Sequence, residues 1–345
     1  RVWEYMVKIN RRDCLTGAVA LIAVASSQGC DKEAPEAMID ESLPLSGFTK
    51  KSTAEDVTQG LDLSGQVGLV TGCNSGLGLE TMRVLALRGA HVIGTGRTLY
   101  KAQKACDKIE GATTPLELEL TNLDSVRNCV DSMFQLGLVP NMVICNAGIN
   151  TFGDLELIQG IEKTFFVNFL GHFVLVNHLL PKMIENGTGR FVHVSSRSAY
   201  KQAPSIGIDF DNLRGEGKFN SGEAYGRSKL ANALFSLELS RRLKGTGITS
   251  NAIHPGLVLT NIVRSAPILV RKAFEFLGPY IAKTPEEGAA TQVYVATNPA
   301  LENVSGLFFE NSNAVIVKGR HFLNDQSMAE SLWKAAEEMV GNYLI

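Results

Sequence analysis

The 345-residue chain has a formal net charge of −2, with 20% of its residues charged and no block of lysine or arginine. That gives no basic surface for nucleic acid or an anionic membrane. Six scattered cysteines without a C-x-x-C pair argue against a disulfide framework or a zinc site, while an apolar share of 45% supplies a full core.

The first thirty residues differ from the rest. From Met6 the chain has a basic start, then an apolar run from Leu15 to Ala25, then small residues up to Cys30. Eleven residues are too few to span a bilayer, which takes about 20, but suit the apolar part of a signal peptide. Arg11 and Arg12 before that run resemble a twin-arginine export signal, so residues 1–30 are expected to be an export signal or membrane anchor. A cytoplasmic chain is the alternative. Residues 31–61 are polar, with Pro35 and Pro44, and read as a linker.

From Leu63 onward short apolar runs alternate with helix-length segments. The runs are "QVGLVTG", "AHVIGTG", "TPLELEL", "NMVICNAG", "GRFVHVSS", "GITSNAIHPG" and "SGLFFE"; helices are predicted at Thr81–Arg88, Leu99–Lys108, Leu123–Gln135, Glu162–Glu185 and Ala224–Lys244. This alternation predicts an α/β domain over residues 62–345, a Rossmann-type doubly wound parallel sheet with both faces covered.

The first run leads into "VTGCNSGLG". Gly72, Gly76 and Gly78 follow a strand and open a helix, where bare backbone amides and the helix N-terminus suit a pyrophosphate. The second strand ends "GTGRT". Gly96 stands where NAD-preferring folds carry an acid for the ribose, and Arg97 follows it, which favours NADP over NAD. Two tyrosines have a lysine four residues on: Tyr100 with Lys104, and Tyr225 with Lys229. Such pairs share a helix face, so an ammonium could draw a phenol's pKa below its usual value of about 10. Spacing alone does not choose between them.

Six motifs then fall in one order: "TGCNSGLG" (71–78), "NAG" (146–148), "VNFLGHF" (167–173), "VSS" (194–196), "YGRSK" (225–229) and "HPGLVLT" (254–260). In these, from about Leu63 to Gly341, the chain resembles the short-chain dehydrogenase/reductases, and within them the retinol-dehydrogenase-like group. The resemblance implies a catalytic set of Asn168, Ser196, Tyr225 and Lys229, with Tyr225 as general acid/base and Tyr100 on the helix surface. It implies a nucleotide site of Gly72, Asn74, Ser75, Gly76, Leu77, Gly78, Arg97, Glu119, Leu120, Asn146, Ala147, Gly148, Tyr225, Lys229, Pro255, Gly256, Val258 and Thr260. Asn146 would tie neighbouring strands, and Ser195 and Ser198 compete with Ser196 for its role. Glu119 departs from the family's aspartate. His172, His178, His193 and His254 show no metal-ligand spacing, so no metal is expected.

The link between Ser196 and Tyr225 is long and contains "IDFDNL"; this insertion carries the retinol-dehydrogenase likeness. Segment 261–284 is rich in Ile, Leu, Val and Phe and suits a lid over a bulky apolar alcohol, aldehyde or ketone, or equally plain core packing or a surface patch for a partner. Reduction of a ring C=C, as in protochlorophyllide reductase relatives, and a non-catalytic dinucleotide sensor are the alternatives.

Overall fold

Each apolar run of the sequence becomes one strand of a twisted sheet. The computed structural model describes residues 34–43, 45–215, 217, 219–258 and 282–344. The expected signal at 1–30, Thr260 and nearly all of segment 261–284 lie outside the described residues.

In chain order the elements are β1 (Glu36–Ile39), β2 (Val67–Val70), α1 (Gly76–Leu87), β3 (His91–Gly96), α2 (Leu99–Cys106), β4 (Thr113–Glu117), α3 (Leu123–Gln135) and β5 (Met142–Cys145). A small hairpin follows, β6 (Leu157–Ile158) and β7 (Ile161–Glu162), then α4 (Gly171–Asn186), β8 (Gly189–Val194), α5 (Ser221–Arg242) and β9 (Ile248–His254). The chain continues with α6 (Pro285–Thr297), β10 (Phe308–Glu310), β11 (Asn313–Lys318) and α7 (Gln326–Val340).

The sheet runs β1-β11-β10-β9-β8-β5-β2-β3-β4. All pairs from β4 to β10 are parallel, while β11 and β1 add two antiparallel strands at the far edge. Strand order reverses between β2 and β5, so their carboxyl ends open a crevice where ligands of such sheets bind. Alternate strand residues feed two cores. Leu69, Val143 and Phe191 join one with α3, α4, α5 and α7, while Val70, Ile144 and Val192 join the other with α1 and α6. In the first, Phe169, Phe173, Phe235 and Trp333 pack with centroids 5.0–5.8 Å apart. The helical run Lys163–Asn186 has a mean hydropathy of 1.3, long and apolar enough for a membrane, yet 78% of that apolar stretch is buried inside the fold. It is a core helix.

One expectation is overturned. Residues 31–61 are not simply a linker. Glu36–Ile39 pairs with β11, with Met38 opposite Ile316, and Ala54 and Val57 are buried against the second core. The Ala54 amide donates to the Glu286 carbonyl at 2.9 Å, fixing the segment to α6. A short edge strand whose partner lies nearly three hundred residues away leaves little local signal, and its outer face stays polar or exposed.

Candidate active site

At the carboxyl end of β2 the chain turns through Gly72 (φ 72°) and Gly76 (φ 58°), both in the left-handed region that glycine enters freely. Gly78 has a different reason. A Cβ there would lie 2.4 Å from the Gly72 carbonyl oxygen and 2.6 Å from Asn146 Nδ2, so only glycine lets α1 start this close to the strand. Asn146 Nδ2 donates to the Thr71 carbonyl (2.8 Å) and the Ala147 amide donates to Thr71 Oγ1 (2.8 Å), which fastens the 146–148 loop to the glycine loop. Asn74 is exposed and Ser75 stands at the N-cap of α1. Leu77 and Val258 meet over Gly288, where a Cβ would come within 2.6 Å of each. Pro255 is buried beside Gly256, whose φ is 100°. The result is a bare, backbone-lined cradle at a helix N-terminus, which fits a dinucleotide pyrophosphate.

The next strand end accounts for the missing acid. A Cβ on Gly96 would lie 2.9 Å from the Ala102 amide nitrogen, so close packing of α2 excludes any side chain there. Arg97 is exposed beside it. Glu119 is half-buried, and its Oε1 accepts from the Thr121 amide (3.1 Å) and hydroxyl (2.9 Å), leaving Oε2 for other partners. Leu120 is buried, packed where Gly171 admits no Cβ.

The predicted catalytic residues converge at the same edge. Asn168 sits in a π-helical turn, Phe166–Leu170, a widened turn that exposes groups an α-helix would bury in its ladder. Its side chain is fully buried: Oδ1 accepts from the Ile149 amide (2.8 Å), and Nδ2 donates to the Ile149 carbonyl (2.9 Å) and Ser228 Oγ (2.9 Å). Tyr225 and Lys229 lie on α5, with the Lys229 Nζ 5.7 Å from the Tyr225 ring centre. Gly148 closes the group, since a Cβ there would lie 3.2 Å from Asn168 Oδ1 and 3.4 Å from Lys229 Nζ. Ser196 is half-buried, its Oγ accepting from the Ser198 amide at 3.1 Å. Ser195 is otherwise engaged: it is buried and donates to the Lys229 carbonyl at 2.6 Å. Tyr100, by contrast, is 73% exposed on α2.

Burial acts on both members of the pair. It pushes the Tyr225 phenol up to about 12, with the Ser196 hydroxyl pulling the other way. It brings Lys229 down to about 8, and the Lys229 ammonium donates to the Val194 carbonyl at 2.9 Å.

One residue that the sequence marked only as lacking metal-ligand spacing ties the loops together. His172, fully buried and pushed down to about 4 by that burial, is neutral near pH 7. Its Nδ1 is 3.1 Å from the Asn168 carbonyl and its Nε2 3.0 Å from Thr71 Oγ1. A carbonyl only accepts, so Nδ1 carries the proton and Nε2 accepts from the Thr71 hydroxyl. The glycine loop, the 146–148 loop and the π turn thus share one hydrogen-bonded chain. His172 lies four residues after Asn168, a helical spacing that could have shown it reaching back to that carbonyl. His193 is packed beside Phe235, with ring centres 4.9 Å apart, and is kept neutral by burial.

A family model described as short chain dehydrogenase matches residues 66–208. The chain is 38% identical over 310 residues to the short-chain dehydrogenase TIC 32 A, chloroplastic, of Brassica napus, covering 86% of this chain and 95% of that one. It is also 38% identical over 299 residues to retinol dehydrogenase 14 of Homo sapiens, covering 81% and 87%. Among solved structures, a crystal structure of an uncharacterized protein from Mycobacterium Paratuberculosis superposes with a TM-score of 0.64 at 30% identity, covering 83% of this chain and 97% of that one.

Proposed function

The chain belongs to the short-chain dehydrogenase/reductase family, whose members are NAD(P)-dependent oxidoreductases acting on CH–OH groups, and from that membership we propose that it interconverts a bulky apolar alcohol and its carbonyl with NADP(H), using Tyr225 as general acid/base. The observation that carries this reading is the convergence of Asn168, Ser196, Tyr225 and Lys229 beside the glycine cradle at one sheet edge. A dinucleotide-binding sensor would have no need to keep all four.

The nicotinamide, when bound, supplies or accepts the hydride. The 72–78 loop with Gly72, Gly76 and Gly78 would hold the pyrophosphate on backbone amides, and Arg97 would supply positive charge for a ribose phosphate. Ser196 donates to the substrate oxygen and orients the carbonyl. Tyr225, protonated near pH 7, would give its proton to the substrate oxygen in the reductive direction. Oxidation needs the reverse transfer, from the alcohol to a Tyr225 phenolate, and the positive charge of Lys229, whose pKa burial brings down to about 8, favours that phenolate before the proton arrives. Asn168 keeps the 149 loop and Ser228, three residues along α5 from Tyr225, in register.

The preference for NADP rests on Gly96, whose packing leaves no room for an acid, and on the exposed Arg97. Arg97→Ala is expected to weaken NADPH binding roughly ten- to hundredfold, the scale of one charged hydrogen bond, with NADH changed by less than about threefold. Calorimetry with both nucleotides checks this; tighter binding of NADH by the unsubstituted protein would reject the assignment.

The apolar substrate class is supported by the retinol dehydrogenases among the relatives and by the long 197–224 insertion that borders Tyr225. Coupled assays over retinoid, steroid and long-chain alcohols and carbonyls should find turnover concentrated there. Turnover restricted to short polar carbonyls would overturn it.

A further inference from the structure

Behind the Ser196 loop lies a carboxylate that the mechanism above does not use. Glu310 ends β10 and is only 3% exposed. Its Oε2 accepts from Arg197 Nε (2.7 Å) and Nη2 (2.6 Å), and its Oε1 accepts from the Tyr200 hydroxyl (2.7 Å). Arg197 and Tyr200 belong to the single helical turn that leaves β8 immediately after Ser196, Ser198–Lys201 with its N-cap at Arg197. One buried carboxylate therefore grips both ends of that turn, and the strand it sits on is separated from β8 by β9.

Ser196 is set by the same turn. Its Oγ accepts from the Ser198 amide (3.1 Å) and its carbonyl accepts from the Ala199 amide (3.0 Å). The Ser196 hydroxyl donates to Ser198 Oγ at 3.3 Å, and rotation about the Cβ–Oγ bond would turn its hydrogen toward substrate or Tyr225 while the bond from the Ser198 amide is kept. The Arg197 amide adds a third tie, donating to Nδ1 of His254 at 3.4 Å, and His254 lies opposite Glu310 in the sheet register. Rotating the turn would move the hydroxyl, and nothing local in residues 196–201 forbids this: the bonds within the turn travel with it. The bonds to Glu310 do not.

We propose that Glu310 is a positioning residue, acting through Arg197 and Tyr200 to hold the Ser196 hydroxyl in the orientation that hydride transfer requires. This rests on the reading of Ser196 as the substrate-orienting serine. Two N–H groups of one planar guanidinium on Oε2 and the phenol on Oε1 fix direction as well as distance, which a lone lysine contact would not. Displacements on the order of 1 Å at such a site cost about a hundredfold in rate.

The test is a double-substitution cycle on the full chain, with NADPH and the carbonyl turned over fastest in the screen above. Glu310→Gln is expected to lower kcat about ten- to hundredfold with the Kd for NADPH within about twofold of the parent, because the 72–78 loop follows β2, which β9, β8 and β5 separate from β10. Tyr200→Phe, which removes one of the three bonds and keeps the ring, is expected to lower kcat about three- to tenfold, and serves alone if Glu310→Gln does not fold. In a Ser196→Ala background both substitutions should change kcat by less than about twofold, since there is no hydroxyl left to position. Equal losses in both backgrounds, or a loss of NADPH affinity that parallels the loss of kcat, would overturn the inference while leaving the active-site reading intact. Undiminished turnover by Ser196→Ala itself would sink both.

Discussion

Tyr225→Phe is expected to lower kcat at least about a hundredfold, the usual scale for removing a general acid, while leaving NADPH affinity nearly unchanged. The ring would keep its packing on α5, so the loss isolates the hydroxyl. Among the described residues no neighbour can replace it. The Lys229 ammonium is committed to the Val194 carbonyl, His172 is neutral and hydrogen-bonded at both nitrogens, and the Ser196 hydroxyl is far too weak an acid. Tyr100→Phe is the control. It removes the same atom from the other tyrosine–lysine pair, but that tyrosine is 73% exposed on α2, and kcat should stay within a few-fold. Steady-state kinetics at saturating nucleotide measures both. Similar losses from the two substitutions would reject Tyr225 as the proton carrier.

The second large effect is expected at Gly78. An alanine methyl would stand 2.4 Å from the Gly72 carbonyl oxygen and 2.6 Å from Asn146 Nδ2. Neither neighbour can yield cheaply, because the first is backbone in a left-handed turn and the second holds the Thr71 carbonyl. Relief requires moving α1 away from the loop whose amides form the cradle. Overpacking of this kind costs about 1–3 kcal/mol, so Gly78→Ala should lose ten- to hundredfold in NADPH affinity and also melt at a lower temperature. Gly341→Ala provides the comparison, since its methyl meets nothing within 4 Å and its φ of −51° suits any residue. Calorimetric titration of both variants decides the point. Unaltered affinity in Gly78→Ala would mean that the loop does not bind the nucleotide.

Much of the fold could be read directly, because parallel strands buried on both faces appear as unbroken apolar runs. All seven predicted runs became strands, and α3 begins and ends where its periodicity does. Other elements escaped notice for identifiable reasons. β1 and β11 form an antiparallel edge of short apolar runs, Ala37–Ile39 and Ala314–Val317, which no helix-length segment separates from its neighbours as it does for the parallel strands, and their pairing joins segments far apart in sequence. α6 was detectable in principle: Thr284 and Glu287 form a capping box with Pro285 in the first turn. At the site, the residue types and their order were legible in the motifs. What was not legible was their electrostatics. The i, i+4 spacing brought Lys229 beside the Tyr225 ring but could not show the hydrogen bond of its ammonium to the Val194 carbonyl, nor how far burial acts on both groups. The Glu310 contacts were equally hidden, because Arg197, Tyr200 and Glu310 meet only once β8, β9 and β10 are side by side.

The most direct measurement is a crystal structure of the full chain with NADP bound. The nucleotide should lie across the carboxyl ends of β2 and β5, its pyrophosphate on the amides of the 72–78 loop and its nicotinamide facing the Tyr225 hydroxyl. A nicotinamide bound out of reach of Tyr225, or a pyrophosphate held anywhere but that loop, would contradict the assignment of this edge as the active site.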